Sequence, residues 1–570
     1  MSITNEELID AAMGRRPCDL VLKNGRIVNV FSGEVHPGDI GVYKKRIVGI
    51  DSYSARREID LKGNYVCPGF FDGHVHIESS MVTLREYAKA VVPRGTTSIV
   101  ADPHEIANVL GLEGIKYMLE TGEGLPINLF LMLSSCVPAT ALVTSGASLS
   151  AFDLSLFLDS PNVLGLAEVM NYWGVVNKDP DVMAKILKVR GKRIDGHAPE
   201  LRGDGLNAYI AAGIRSDHEC TTLEEASEKL RRGMYIMIRE GTTAKNLLAL
   251  LPLVTSENSS KFFFVTDDKN PQDLLKEGHI NSMIKSAIDH GVEPIRAIQM
   301  ATLNTSDYFK IDDLGAIAPG YRADLVVFDD FSDLNVKMVF KDGALVAKEG
   351  RLTRPMAVSK KVPLRSTINV KWIEESDFDI GAKSKLAKVI ELIPDQIITR
   401  KRVLTIKVKD GLAVPDIADD ILKISVIERH MASGNTGLGF VRGFNLKEGA
   451  LASSVSHDSH NIIVLGTNDE DMYKAAVRIV KLRGGLVVVK GGEIVEELPL
   501  PIGGLMSEQG LEEVALRIDR LNAKARELGC RLKDPFMALS FLTIPVIPEL
   551  RLTDKGLVDA NEMRIVELFE

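Results

Sequence analysis

Pro68-Gly69-Phe70-Phe71-Asp72-Gly73-His74-Val75-His76 is the stretch on which the reading of this chain turns. The residues leading into it are strand-like. Side chains two apart on a strand project from one face, so His74 and His76 point the same way. At the C-terminal end of the first strand of a (β/α)8 barrel, that face looks into the barrel mouth, where sites on this fold are built. Two imidazoles placed there can share a metal ion. Taken alone, His-x-His is equally a pair of ordinary histidines in a turn, so the decision rests on what surrounds it.

Working outward, residues 66–312 alternate apolar strand-like runs with helix-like stretches, the rhythm of parallel βα units. Eight candidate strands end near His76, Asp102, Cys136, Glu168, His197, Asp217, Ile238 and Asp267. Eight such units predict a closed barrel, with a doubly wound open sheet as the alternative. The strand ends repeatedly deliver metal-ligand side chains, in Gly165-Leu166-Ala167-Glu168, Ile194-Asp195-Gly196-His197, Ile214-Arg215-Ser216-Asp217-His218 and Phe263-Phe264-Val265-Thr266-Asp267. Buried charge is costly unless paired or bound to metal, so a barrel built for stability alone has little reason to place these residues there.

Short alternating segments flank the barrel on both sides: Asp19–Leu22, Gly25–Val30 and Arg46–Ile50 before it, and Ala323–Phe328, Val336–Phe340 and Ala344–Ala347 after it. They predict one small β-sandwich domain assembled from residues 1–65 and 313–364. Residues 365–570 read as an α+β domain, with strands at Val403–Val408 and Leu486–Val489 and amphipathic helices near Asp469–Arg483 and Glu508–Leu528. The 570-residue length suits two to four domains. A net charge of −9 argues against a nucleic-acid partner. Five scattered cysteines without a Cys-x-x-Cys pair suggest neither a zinc knuckle nor a disulfide framework. The N-terminal residues do not resemble a signal peptide, and no run approaches the roughly 20 apolar residues of a membrane span. The expectation is a cytoplasmic protein without membrane contact that self-associates.

The order His-x-His, carboxylate, His, His, Asp resembles the amidohydrolase superfamily, as does the split β domain with its re-entry at Leu314–Leu325. More narrowly, Gly73–Ser80, Ala101–Glu105, Gly165–Asn171, Asp195–Pro199, Ser216–Glu219, Val265–Asp268 and Val455–Asn461 are similar to the adenine deaminase family of bacteria and archaea. Many two-metal superfamily members carry a carboxylated lysine at the end of strand four; here Glu168 stands there, and Lys178 lies beyond it in a loop-like stretch. That departure disfavours a dihydroorotase or hydantoinase.

The resemblance implies two divalent ions held by His74, His76, Glu168, His197, His218 and Asp267. Imidazole and carboxylate ligands without thiolate suit first-row metals; the resemblance tilts to manganese or iron, with zinc allowed. It implies hydroxide addition to C6 of adenine, giving hypoxanthine and ammonia for purine salvage. Glu168 would bridge the ions and Asp267 would relay the proton. Asp102, His104, Glu105, Arg239 and Asp268 are candidates for reading the purine. The rivals are a related enzyme opening cyclic amides and a metal-free assembly protein, which the six filled ligand positions oppose. Among other residues, Trp173 could stack on a flat ring, although core packing is the commoner fate. His279 and His290 are expected at the surface, and His36 in a turn. Glu240 is weighed as the loop ion-pair partner of Arg239. His430, His457 and His460 are assigned structural roles ahead of functional ones, in a domain that covers the barrel mouth or forms a subunit contact.

Overall fold

The computed structural model describes residues 4–356, 360, 362–393 and 396–570. At its centre are eight short parallel strands, here β1 (Phe70–Val75), β2 (Thr96–Ala101), β3 (Asn128–Leu133), β4 (Val163–Val169), β5 (Arg193–Gly196), β6 (Ser216–Asp217), β7 (Tyr235–Arg239) and β8 (Phe262–Val265). β1 to β5 form one ladder and β6 to β8 another. Two junctions join them into a ring. Arg215 N donates to Ile194 O at 3.0 Å beside β5, and Asp267 N donates to His74 O at 3.0 Å across the β8–β1 seam. Phe71, Val100, Phe130, Met132, Ala167, Met237, Phe263 and Val265 form one apolar cluster drawn from six of the eight strands, a packed core of the kind that fills such barrels. Gly73 is obligatory here, because a Cβ at that position would stand 2.5 Å from the Phe263 ring. The β1 backbone must pass this close for His74 to reach the mouth.

Helices flank the strands on their outer side. Leu84–Val91, between β1 and β2, starts at Thr83, whose hydroxyl accepts from Glu86 N, and buries Leu84, Tyr87, Ala88 and Val91 on one side. Strands from both flanks make one nine-stranded sheet in which Tyr65–Pro68 pairs antiparallel with Leu325–Phe328. Ile47 N donates to Tyr321 O at 2.9 Å, and Ala323 N to Lys45 O at 2.9 Å, so the sheet turns back on itself. Leu22, Ile27, Ile40, Ile47, Val66, Leu325 and Phe340 are buried together in it.

The C-terminal part contains an eight-stranded sheet and the helices Asp469–Leu482 and Leu511–Glu527, within a few residues of their expected places. The run at 403–408 is not one strand: Thr399–Thr405 ends before Ile406, and Lys407–Lys409 pairs separately with Leu412–Val414. This part docks on the loops that follow the barrel strands. Ser507 N donates to Met81 O at 2.8 Å, Thr144 N to Asp554 Oδ1 at 2.8 Å, and Asn270 Nδ2 to Asp534 Oδ2 at 2.8 Å.

Three expectations about single residues need correction. His279 is buried, not at the surface: its ring lies 2.8 Å from both Tyr87 Oη and Thr96 Oγ1 and 3.1 Å from Asp72 Oδ2. It stands at the N-terminus of Ile280–Asp289, where the chain enters the helix from the barrel side. His36 lies within strand Glu34–Tyr43, paired with Ile27, and not in a turn; Pro37 is accommodated because the neighbouring strand pairs only with Ile40–Tyr43. Trp173 is 45% exposed on helix Tyr172–Val176, so it is neither in the core nor in the site. His290 is exposed, as expected.

Candidate active site

His74 and His76 bring their Nε2 atoms to 3.2 Å of each other at the end of β1. Around them lie Asp267 Oδ1, at 3.3 Å from His74 Nε2 and 3.2 Å from His76 Nε2, and Glu168 Oε1, at 3.7 Å and 3.1 Å from the same atoms. The other oxygen of Glu168, Oε2, faces a second pair, 2.6 Å from His197 Nδ1 and 3.2 Å from His218 Nε2. Ligands held about 2.1 Å from a tetrahedral ion stand about 3.4 Å apart, close to most of these separations. One carboxylate at the end of β4 thus separates two imidazole pairs from β1 and from the ends of β5 and β6. Asp267 has φ 56°, a left-handed conformation uncommon outside glycine, just beyond β8 where its carboxylate meets the β1 histidines.

The donor set fits divalent cations on electrostatic grounds. Among the described residues, six carboxylates line this cavity (Glu105, Glu168, Glu219, Asp267, Asp268 and Asp458) against one guanidinium, Arg239. Buried anions in such excess are costly without counter-cations. Burial opposes the charge on His76 and His218, yet nearby carboxylates outweigh it and hold both well above the ordinary histidine range. Burial likewise raises Glu168 and Asp267, but the imidazoles, and for Asp267 also Arg239, hold both well below the usual carboxylate range. The site therefore draws positive charge. Both ring nitrogens of His218 and Nε2 of His197 are buried without a hydrogen-bond partner among the described residues.

Arg239 is fully engaged. It forms a two-pronged ion pair with Glu219, and its Nη1 donates to Asp267 Oδ2 at 2.9 Å. Such a group fixes carboxylates and has little capacity left for a ligand. Glu240 does not pair with it; its carboxylate accepts from Leu247 N at 3.1 Å. Asp102 sits behind the cavity, 2.7 Å from His104 Nδ1 and accepting from Ser134 Oγ at 3.0 Å, and so orients His104. His104 faces the cavity, 3.4 Å from Glu168 Oε1. Asp268 also lines it and accepts from Ser79 Oγ. Glu105 lies between His457 Nδ1 and His460 Nε2.

Sequence reasoning passed over Glu219 and Asp458, and set a structural role for His457 ahead of a functional one. Glu219 directly follows a proposed ligand in Ser216–Glu219, which is a usable signal. His457 and Asp458 stand in the His-rich run 457–460, where structural roles were preferred. Two of the three histidines bond to backbone atoms of the loop 456–460. His430 Nε2 donates to Ser459 O at 2.7 Å, so it ties down the loop. His460 Nδ1 accepts from Ser456 N at 3.1 Å, leaving its Nε2–H to donate to Glu105. His457 instead lines the cavity, its ring stacked on Phe541 with centroids 4.8 Å apart. Ile397, Phe541, Ile544 and Ile547 complete an apolar wall from the C-terminal part.

Residues 65–346 match the amidohydrolase family and residues 396–564 match the adenine deaminase C-terminal domain. The chain is 52% identical to adenine deaminase of Desulfatibacillum aliphaticivorans, across 99% of this chain and 100% of that one. It is 49% identical to adenine deaminase of Kosmotoga olearia across 99% and 98%, and 49% identical to that of Methanothrix thermoacetophila across 99% of each. Taken with a metal-ligand constellation at the mouth of a barrel, these matches over the full length place the chain among the adenine deaminases, enzymes of the amidohydrolase superfamily.

Proposed function

We propose that this chain hydrolyses the C6–N bond of adenine, giving hypoxanthine and ammonia for purine salvage, with two divalent ions held by His74, His76, Glu168, His197, His218 and Asp267. The observation that carries this reading is Glu168, whose two carboxylate oxygens each face a separate imidazole pair. Imidazole and carboxylate donors suit first-row divalent ions, and the likeness to adenine deaminases tilts the choice to manganese or iron, with zinc allowed. When bound, such ions would supply a water acidified toward neutrality. The remaining work falls to the chain. Asp267, beside both β1 histidines, takes a proton from the water as its oxygen adds to C6, and delivers it to the amine as the tetrahedral adduct collapses, breaking the C6–N bond and releasing ammonia. Arg239 holds Oδ2 of the same carboxylate and keeps Oδ1 turned to the histidines. Glu219, clamped by Arg239, stands 3.3 Å from His218 Nε2 and steadies that pair.

The test is ammonia release from adenine, run beside a hydantoin and a dihydropyrimidine under the same metal supply. Release from adenine alone supports the reading; turnover of the cyclic amides without adenine overturns it.

A further inference from the structure

Besides ring atoms of His197 and His218, two buried polar atoms of the cavity wall have no hydrogen-bond partner among the described residues, and neither belongs to the barrel. They are His457 Nε2 and Asp458 Oδ2. The other polar atom of each faces a neighbouring side chain. His457 Nδ1 is held by Glu105, and Asp458 Oδ1 lies 3.6 Å from His104 Nε2. His457 and Asp458 are 2% and 6% exposed and line the same cavity as the proposed ligands. An unsatisfied buried donor or acceptor is costly, so such a pair in a cavity wall is unused recognition capacity.

Adenine offers three adjacent donor–acceptor pairs. Two of them, N1 with the amine and N7 with the amine, include the group that leaves. The third is N3 with N9–H. We infer that His457 and Asp458 read this third edge, His457 Nε2 donating to N3 and Asp458 Oδ2 accepting from N9–H, while Phe541, Ile544 and Ile547 form the apolar wall beside the ring. Burial opposes the charge on His457, but Glu105, Asp268 and Asp458 outweigh it and push the imidazolium up to about 9, which supplies the Nε2 proton. A nucleoside carries its sugar at N9, so the same carboxylate restricts the site to the free base. This rests on the adenine reading above and assigns its specificity to the C-terminal part of the chain.

The experiment compares kcat/KM for adenine, 9-methyladenine and 3-deazaadenine in the metal-loaded wild type and in Asp458→Asn, His457→Asn and His457→Gln. The wild type should disfavour 9-methyladenine by at least ~10²-fold, because the methyl removes a hydrogen bond and leaves a buried carboxylate unpaired. In Asp458→Asn, KM for adenine should rise more than kcat falls, and discrimination against 9-methyladenine should shrink at least ~10-fold. His457→Asn keeps a donor for Glu105 but loses the one at Nε2, and should no longer prefer adenine to 3-deazaadenine. His457→Gln, with a donor at that position, should restore part of the preference. A wild type that accepts 9-methyladenine as readily as adenine overturns the inference, as does an Asp458→Asn enzyme with undiminished selectivity. The two analogues on the wild type decide the matter even if a variant fails to fold. A wild type that does not turn over adenine at all would instead contradict the adenine reading itself.

Discussion

The cavity has two unlike walls. The barrel wall is assembled from the ends of seven separate strands, six of which contribute one or two carboxylate or imidazole side chains. The opposing wall comes from the C-terminal part, with His457 and Asp458 on a single loop and Ile397, Phe541, Ile544 and Ile547 around them. The first has the chemistry to hold cations; the second has little but apolar surface and a pair of hydrogen-bonding atoms. Holding ions requires several carboxylates and imidazoles to converge at about 3 Å, which a closed ring of strands provides. Reading a flat heterocycle requires an apolar face and a few placed polar atoms, which one docked loop can supply.

This division has consequences of decreasing size. Asp267→Asn keeps the shape and one coordinating oxygen but cannot take a proton. Its kcat should fall by ~10²–10⁴-fold while metal content and folding persist; steady-state kinetics with elemental analysis checks this, and unchanged kcat would remove Asp267 from the chemistry. Glu105→Gln acts on the boundary between the walls. A glutamine cannot accept from both His457 and His460, so KM for adenine should rise ~10-fold with normal metal content. Metal loss in that variant would move Glu105 to the ion-holding wall. Trp173→Ala, at an exposed helix outside both walls, should leave kinetics within about twofold and stability within ~0.5 kcal/mol. A larger change in KM would reopen stacking on the substrate.

The two walls also differed in how far the sequence disclosed them. Each proposed barrel ligand sits at a strand end whose apolar run and βα spacing can be counted along the chain, and His, Glu and Asp there are conspicuous against the apolar background. The strands themselves were legible for the same reason, even β6 with only two residues in its ladder. Phe541, Ile544 and Ile547 carry no such signal, since the same residues would form core anywhere. His457 meets Glu105 across 352 positions, a contact created by docking and invisible to local pattern. Burial of His279 was missed similarly: its place on a helical run says nothing about Tyr87 and Asp72 closing over it.

The central claim is that one carboxylate serves two ions, and metal titration of the stripped protein tests it most directly. Manganese or ferrous ion should be added stepwise to chelator-treated enzyme while bound metal and ammonia release from adenine are followed, with Glu168→Gln carried in parallel. The expected result is activity that keeps rising until about two ions are bound per chain, and a Glu168→Gln protein that fails to fill both positions and loses activity with them. Full activity at one ion or fewer, or a Glu168→Gln protein that binds two ions and deaminates adenine normally, would contradict it.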